Sequence, residues 1–374
     1  MSVTPKIAAI HVPNDLTQIE PADVFPEGGR QPAYQIIDVR APVEIQRSGI
    51  PGALSFPILN DEERAAVGAC YHSNGQAAAV ALGVELTAPH REARVARWRE
   101  AADSSERPTV FACWRGGKRS GIATQWLEDS RVSRVHGGTK AMRRYLMASL
   151  ESHVARTETQ VISGLTGCGK TELLHKLAKT LPQDILALDL EGLANHRGSA
   201  FGGFAEGQPA QQTFENSLAA TVHLAAPRIT LLEDEARYVG RVEVPGYLHD
   251  KIQKSPIILL EATQAERMDR IIHEYVLEPT AHSSRPQVRQ ELEINLKKLA
   301  KRLGGAQLRE CLKALDFADD EERWFSPESH TPWVEILLKT YYDKLYNRAV
   351  ERMTRPILFQ GSADEIIAWF EAQS

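Results

Sequence analysis

Short apolar runs, each closed by a glycine- or proline-bearing turn and followed by apolar positions at helical spacing, recur along most of the chain. Tyr34-Gln35-Ile36-Ile37-Asp38-Val39 and Thr109-Val110-Phe111-Ala112 read as strands, and a shorter one covers Arg134-Val135-His136 before Gly137 and Gly138. Behind the second strand come Cys113-Trp114-Arg115-Gly116-Gly117-Lys118-Arg119-Ser120 and then Ile122, Ala123, Trp126 and Leu127 on one helical face. A second series opens with Gln160-Val161-Ile162-Ser163 and runs into Gly164-Leu165-Thr166-Gly167-Cys168-Gly169-Lys170-Thr171, after which Leu173, Leu174, Leu177, Ala178 and Leu181 repeat at helical spacing. Further strands read at Ile185–Asp189, Ile229–Leu232 and Ile257–Leu260, with gaps long enough for crossovers, which predicts a parallel sheet. From about Pro286 to Met353 the pattern turns charged and helical, with Leu292, Leu296, Leu299 and Leu303 on one core-facing stripe, before a strand-helix pair over Pro356–Phe370.

This alternation predicts an α/β protein, and 374 residues exceed what one core organises. The expected division is residues 1–155, residues 156–285, and a helical region over 286–374 whose final strand-helix pair completes the second domain. No stretch reaches the roughly 18 uncharged apolar residues of a membrane span. Residues 1–30 lack the apolar core of a signal peptide, so the expected location is the cytoplasm, away from membranes. The four cysteines, Cys70, Cys113, Cys168 and Cys311, form no C-x-x-C pair and no zinc-type spacing with histidine, which argues against a structural metal or a disulfide framework. A net charge of −5 leaves no global basic field, so contact with a polyanion requires a local patch.

Two loops carry chemistry. A thiol at a strand end, followed by glycines and a helix start, faces backbone N–H groups and the positive end of the helix dipole. Arg115, Lys118 and Arg119 add positive charge, so Cys113 is the candidate catalytic nucleophile and Arg115, Gly116, Gly117, Lys118, Arg119 and Ser120 form a candidate anion-binding loop. Gly164-x-x-x-x-Gly169-Lys170-Thr171 matches the P-loop pattern in its strand-to-helix context. There Gly164, Gly167 and Gly169 let the backbone curl around a phosphate, Lys170 supplies a charge and Thr171 a hydroxyl for Mg²⁺, while Cys168 reads as filler. Leu231-Leu232-Glu233-Asp234-Glu235 ends a strand in carboxylates, so Glu233 or Asp234 is the candidate Mg²⁺ ligand, and Arg197 is a further candidate for that metal or phosphate site. No metal ligand set is certain from spacing alone. Arg143, Arg144, Arg197, Lys297, Lys298, Lys301 and Arg302 are candidate RNA phosphate contacts, and His136 and His196 read as ordinary loop histidines.

Asp38-Val39-Arg40, then Glu44 and Gly49-Ile50-Pro51-Gly52-Ala53, resembles the first signature of the rhodanese family, and Cys113 to Ser120 resembles its active-site loop. More narrowly, the Cys-Trp-Arg-Gly-Gly-Lys-Arg-Ser loop is similar to that of the tRNA 2-selenouridine synthases. So are Asn60-Asp61-Glu62-Glu63-Arg64-Ala65-Ala66-Val67-Gly68 leading to Tyr71, and Asp189-Leu190-Glu191-Gly192-Leu193-Ala194-Asn195-His196-Arg197-Gly198-Ser199. With the P-loop, the resemblance runs from about residue 34 to residue 275. It implies an N-terminal rhodanese-like domain and a P-loop NTPase-like parallel-sheet domain with a helical C-terminal region.

The resemblance also implies a transferase that replaces sulfur by selenium in wobble 2-thiouridine of tRNA. Geranyl diphosphate first alkylates the sulfur and selenophosphate then displaces the S-geranyl group. By the same resemblance, the partners are tRNAs for Lys, Glu and Gln and an enzyme that produces selenophosphate, with no tightly bound cofactor. Cys113 carries selenium, accepts a group transiently or holds selenophosphate in its basic loop, roles among which the sequence does not choose, and Asp38 and Arg40 anchor the fold. The residues alone leave open a P-loop kinase or ATPase with a rhodanese-type sulfur-carrier module. An RNA-binding adaptor with degenerate loops fits poorly with intact Cys113, Lys170 and Thr171.

Overall fold

The computed structural model describes residues 17–180, 185–196, 207–345 and 354–373. The chain divides into two compact units, Met1–Ala155 with Pro209–Ala226, and Arg156–Gln208 with Pro227–Ser374.

In the first unit, β1 (Gln18–Ile19), β2 (Gln35–Asp38), β3 (Ala53–Ser55), β4 (Thr109–Ala112) and β5 (Val132–Val135) form a sheet in the order β1-β5-β4-β2-β3. Every neighbouring pair is parallel, and Ile36 pairs with Val110 and Ala53 in register. β2 and β4 are buried at all four positions, as strands covered on both faces must be. That burial suits their apolar stretches, Ile36-Ile37 and Val110-Phe111-Ala112. The core beneath the sheet is aromatic: Trp98 meets Phe111 edge-on at 5.4 Å and stacks on Trp126 at 6.3 Å. The indole N–H of Trp98 donates to the Phe56 carbonyl at 3.0 Å, so the one polar atom of this buried side chain is satisfied.

The helical segment Asp61–Thr87 is two arms, since Gly75 sits inside it at φ 81° and ψ −178°. On a straight helix Val67 and Gly83 would lie roughly 24 Å apart. Instead, a Cβ built on Gly83 comes within 3.5 Å of Val67 Cγ2, so the chain turns back on itself at a residue that tolerates positive φ.

The helix Gln211–Ala225 belongs to this first unit, although its place in the sequence led to its expected assignment to the second. Buried polar groups account for the placement. Thr213 Oγ1 accepts from the Gly49 N–H at 2.9 Å, and the Asn216 amide donates to the Gly49 carbonyl at 2.7 Å. His223 bridges Ser149 Oγ at 2.6 Å and the Phe25 carbonyl at 2.8 Å. Buried Phe214, Leu218 and Val222 complete the contact face.

In the second unit, β6 (Glu158–Ser163), β7 (Ile185–Leu188), β8 (Ile229–Glu233), β11 (Ile257–Leu260) and β12 (Ile357–Gly361) form a parallel sheet in the order β12-β11-β6-β8-β7, and β9 (Tyr238–Val239) pairs with β10 (Val242–Glu243) as an antiparallel ribbon. The helix Lys170–Thr180 buries Leu173, Leu174 and Leu177 against this sheet, joined by Ile366 and Phe370 of the last helix. The helical region has its own core, in which Leu292, Leu296, Leu299 and Leu303 pack with Trp324 and Trp333, as their spacing predicts. No described helix is long and apolar enough to cross a membrane.

Candidate functional site

Cys113 directly follows β4 and is 3 % exposed, its Sγ 3.2 Å from Ser120 Oγ in the first turn of the helix Lys118–Leu127. Its carbonyl accepts from the Gly116 N–H at 3.4 Å and the Thr139 N–H at 2.9 Å, which curls the loop over its own strand end. A Cβ on Gly138 would fall 1.9 Å from that carbonyl oxygen, so this approach of two backbones requires glycine. The cations divide by partner. Arg119 forms a two-pronged ion pair with Glu44, in which Arg119 Nη2 lies 3.0 Å from Oε1. Burial pushes the Glu44 carboxyl up, but the hydrogen bond and charge of Arg119 hold it below its ordinary range. Arg115 and Lys118 are exposed and have no carboxylate partner among the described residues. Below the loop, Arg134 is 7 % exposed, donates to the Gly116 carbonyl at 3.4 Å, and leaves its Nε without a partner.

Asp38 and Arg40, both 1 % exposed, form a bidentate pair with a closest contact of 2.6 Å, and Arg40 Nη2 also donates to the Ser48 carbonyl at 2.7 Å. They join the end of β2 to the turn before Gly49-Ile50-Pro51-Gly52.

The second loop, Gly164 to Gly169, connects β6 to the helix Lys170–Thr180, whose N-terminal N–H groups are oriented to receive an anion. Two arginines from the helix Gln264–Ile272 hold the loop by its carbonyls: Arg267 donates to Thr166 and Arg270 to Gly167, each at 2.8 Å. Cys168 is buried, and burial pushes its thiol up, as suits a filler. The two acids at the end of β8 part company because neighbouring strand residues face opposite ways. Asp234 accepts from Ser163 Oγ at 3.0 Å and pairs with Arg355 at 2.6 Å. Glu233 instead feels the charge of Lys170 and accepts from the Thr171 hydroxyl, yet its Oε1 is buried with no hydrogen-bond partner. Carboxylate oxygens of Glu191, Glu233 and Glu235 lie within 4.8 Å of one another. Burial, then the charges of Glu191 and Glu233, push the Glu235 carboxyl up to about 9.

A sequence model described as the tRNA 2-selenouridine synthase AAA domain matches residues 157–374. Proteins named tRNA 2-selenouridine synthase are similar over nearly the whole chain. The one from Hahella chejuensis is 37% identical over 91% of this chain and 91% of its own length. That from Verminephrobacter eiseniae is 38% identical over 90% of this chain and 94% of its own, and that from Pseudomonas putida 38% over 91% and 94%. The chain belongs to the tRNA 2-selenouridine synthase family.

Several groups at the two loops escaped the sequence reading. Glu235 was read as one of three acids at a strand end and Glu191 as part of a family-like segment, without either being singled out as a ligand, and Arg134 was read as a strand residue. Arg267 and Arg270 lie about a hundred positions from the loop they hold, and nothing local in the sequence ties them to it. Of the RNA candidates, Arg143 pairs with Glu215 and donates to Asn216 Oδ1 at 2.8 Å, so it fastens the helix Gln211–Ala225 within the first unit. Lys297 pairs with Glu293, Lys298 donates to Asn295 Oδ1 at 2.8 Å, and Arg302 donates to the Tyr341 hydroxyl at 2.9 Å. Arg144 and Lys301 are exposed, and Arg197 lies outside the described residues. His136 meets Glu20 at 2.8 Å on the surface.

Proposed function

We propose that this chain replaces sulfur by selenium in the wobble 2-thiouridine of tRNA in two stages, with geranyl diphosphate and selenophosphate as co-substrates. In the first stage the thiocarbonyl sulfur attacks C1 of the geranyl group, the C–O bond to diphosphate breaks, and the nucleobase loses its N3 proton. In the second, selenium adds at C2, geranyl thiol departs, and water releases phosphate from the selenium. Alkylation matters because thiocarbonyl sulfur leaves poorly until it carries carbon.

The P-loop suits the first stage. Lys170 and the N–H groups of Gly164 to Gly169 would take the diphosphate and stabilise the charge it gains as it leaves. Thr171, Glu191, Glu233 and Glu235 fit a Mg²⁺ ion, since the buried Glu233 Oε1 lacks a partner and three carboxylates converge. Such an ion would supply further neutralisation of the diphosphate. The first unit suits the second stage as a rhodanese-like module, with Cys113 as the group that holds selenophosphate in its basic loop and Arg115 and Lys118 as receivers of that anion. The observation that carries the reading is the presence, in one chain of this family, of a cysteine loop with two cations lacking carboxylate partners among the described residues and of a P-loop facing a buried carboxylate oxygen with no partner.

The two stages separate experimentally. Lys170→Ala should lower geranylation of thiolated tRNA by about 100-fold or more, the usual cost of one lost charge stabiliser, while still converting RNA that is already geranylated. Cys113→Ala should show the converse: geranylation retained and selenium incorporation lost. Wild-type geranylation by the first variant, or wild-type selenation by the second, would contradict the assignment.

A further inference from the structure

A cavity of about 470 Å³ lies in the first unit between the cysteine loop and the two arms that meet at Gly75. On one arm Arg64, Val67, Gly68 and Tyr71 face it, and on the other Ala79, Val80, Gly83, Val84 and Thr87, both sets at the three- and four-residue spacing of a single helical face. Ile122 and Trp126 of the helix behind Cys113 close the floor, and Ile58 and Leu59 a side wall. Apolar side chains of two arms normally meet each other; here they line a space within the size range of small-molecule sites. The rim is cationic. Arg64, Arg115, Lys118 and Arg119 border it against the single carboxylate of Glu44, which is already engaged by Arg119. Tyr71, 55% exposed, offers an aromatic face at the rim.

An apolar pocket with a cationic, aromatic rim matches one kind of occupant: a hydrocarbon chain attached to a base within an RNA strand. The chain would enter the pocket, the base would find an aromatic face, and the flanking phosphates would meet the arginines and lysine. We propose that this cavity seats the hydrocarbon chain on the sulfur of the alkylated nucleoside, and so holds that base at the cysteine loop for the second stage. The assignment rests on the two-stage reading above and deepens it. The pocket would select alkylated over unalkylated RNA, and the Gly75 turn would let the arms part for a chain already tethered to tRNA.

The test is equilibrium binding, by fluorescence anisotropy, of two anticodon stem-loop RNAs that differ only in an S-geranyl group on 2-thiouridine. The wild-type chain should bind the geranylated RNA at least about tenfold more tightly, since the chain leaves water. Val80→Trp, which fills the cavity from a half-buried position, should reduce that preference to about unity while binding the unalkylated RNA within about twofold of wild type. Val84→Phe should act in the same direction, and thermal melting of both variants shows whether they fold. A folded Val80→Trp protein that keeps the full preference overturns the assignment, as does one that loses affinity for both RNAs equally. If the wild-type chain shows the cavity-dependent preference but makes no geranylated RNA from geranyl diphosphate, the cavity assignment stands and the two-stage reading fails. If it geranylates RNA but its preference ignores both variants, the reverse holds.

Discussion

Glu235 shows how the P-loop site departs from a surface cluster of acids. Its carboxyl ordinarily titrates near 4.5, and burial with Glu191 and Glu233 beside it raises this to about 9. The folded chain therefore keeps a proton that the unfolded chain releases, so stability falls as pH rises from about 4.5 towards about 9. Glu235→Gln should remove most of that slope, which urea unfolding at stepped pH measures; an unchanged slope would show that the burden lies elsewhere. Residue by residue, the sequence located side chains where they follow a recognisable strand end. The positions of Cys113, Lys170 and Thr171 in strand-to-helix loops were legible in that way. Glu191 and Arg134 were not, because their roles come from burial beside groups distant in sequence. Asp234 and Glu233 were indistinguishable as letters, and only the alternation of β8 separates the acid facing Thr171 from the one paired with Arg355.

Among elements, the strands were the most readable part of the fold. β2, β4, β6, β8 and β11 are largely buried and each carries a short apolar stretch, such as Ile36-Ile37, Val161-Ile162 and Leu231-Leu232. The edge strands β1 and β3 are two and three residues long and left no comparable trace. β5 covers Val132–Val135, two residues ahead of the expected Arg134 to His136, because its pairing with β4 begins at Val132 against Thr109. The two arms from Asp61 to Thr87 went unread as such, since a glycine inside a helical pattern does not announce a reversal. The loop after β4 depends on an element far along the chain: Gly138, at φ 64°, opens the helix Gly138–Arg156 and lies against the Cys113 carbonyl. An alanine there must displace backbone and adopt a left-handed conformation, which by itself costs about 1–3 kcal/mol. Gly138→Ala should therefore lower stability by at least that amount and reduce selenium incorporation more than geranylation. Equal loss in both activities, or loss in neither, would contradict the coupling of this helix start to the cysteine loop.

The whole molecule is built from two units whose sequences interleave. The helix Gln211–Ala225 completes the first unit from within the stretch that otherwise forms the second. Its sequence reveals an amphipathic helix without naming the surface that buries it, which is why the expected boundary passed it over. A fragment ending at Ala155 leaves the Gly49 N–H and carbonyl and the Phe25 carbonyl without their partners. It should fail to unfold cooperatively, and a version carrying residues 209–226 on a flexible linker should regain a cooperative transition. Cooperative unfolding of the shorter fragment would show the helix to be dispensable. For the full chain, the central claim is that two anion-binding loops serve two consecutive reactions on one nucleoside. The most direct measurement incubates the purified protein with thiolated tRNA, selenophosphate and geranyl diphosphate, omits each in turn, and identifies the nucleosides by mass spectrometry. 2-Selenouridine is expected only when all three are present, and S-geranyl-2-thiouridine when selenophosphate alone is withheld. Selenouridine formed without geranyl diphosphate, or nucleotide-dependent phosphate release with no modified nucleoside, would rule out the two-stage reaction.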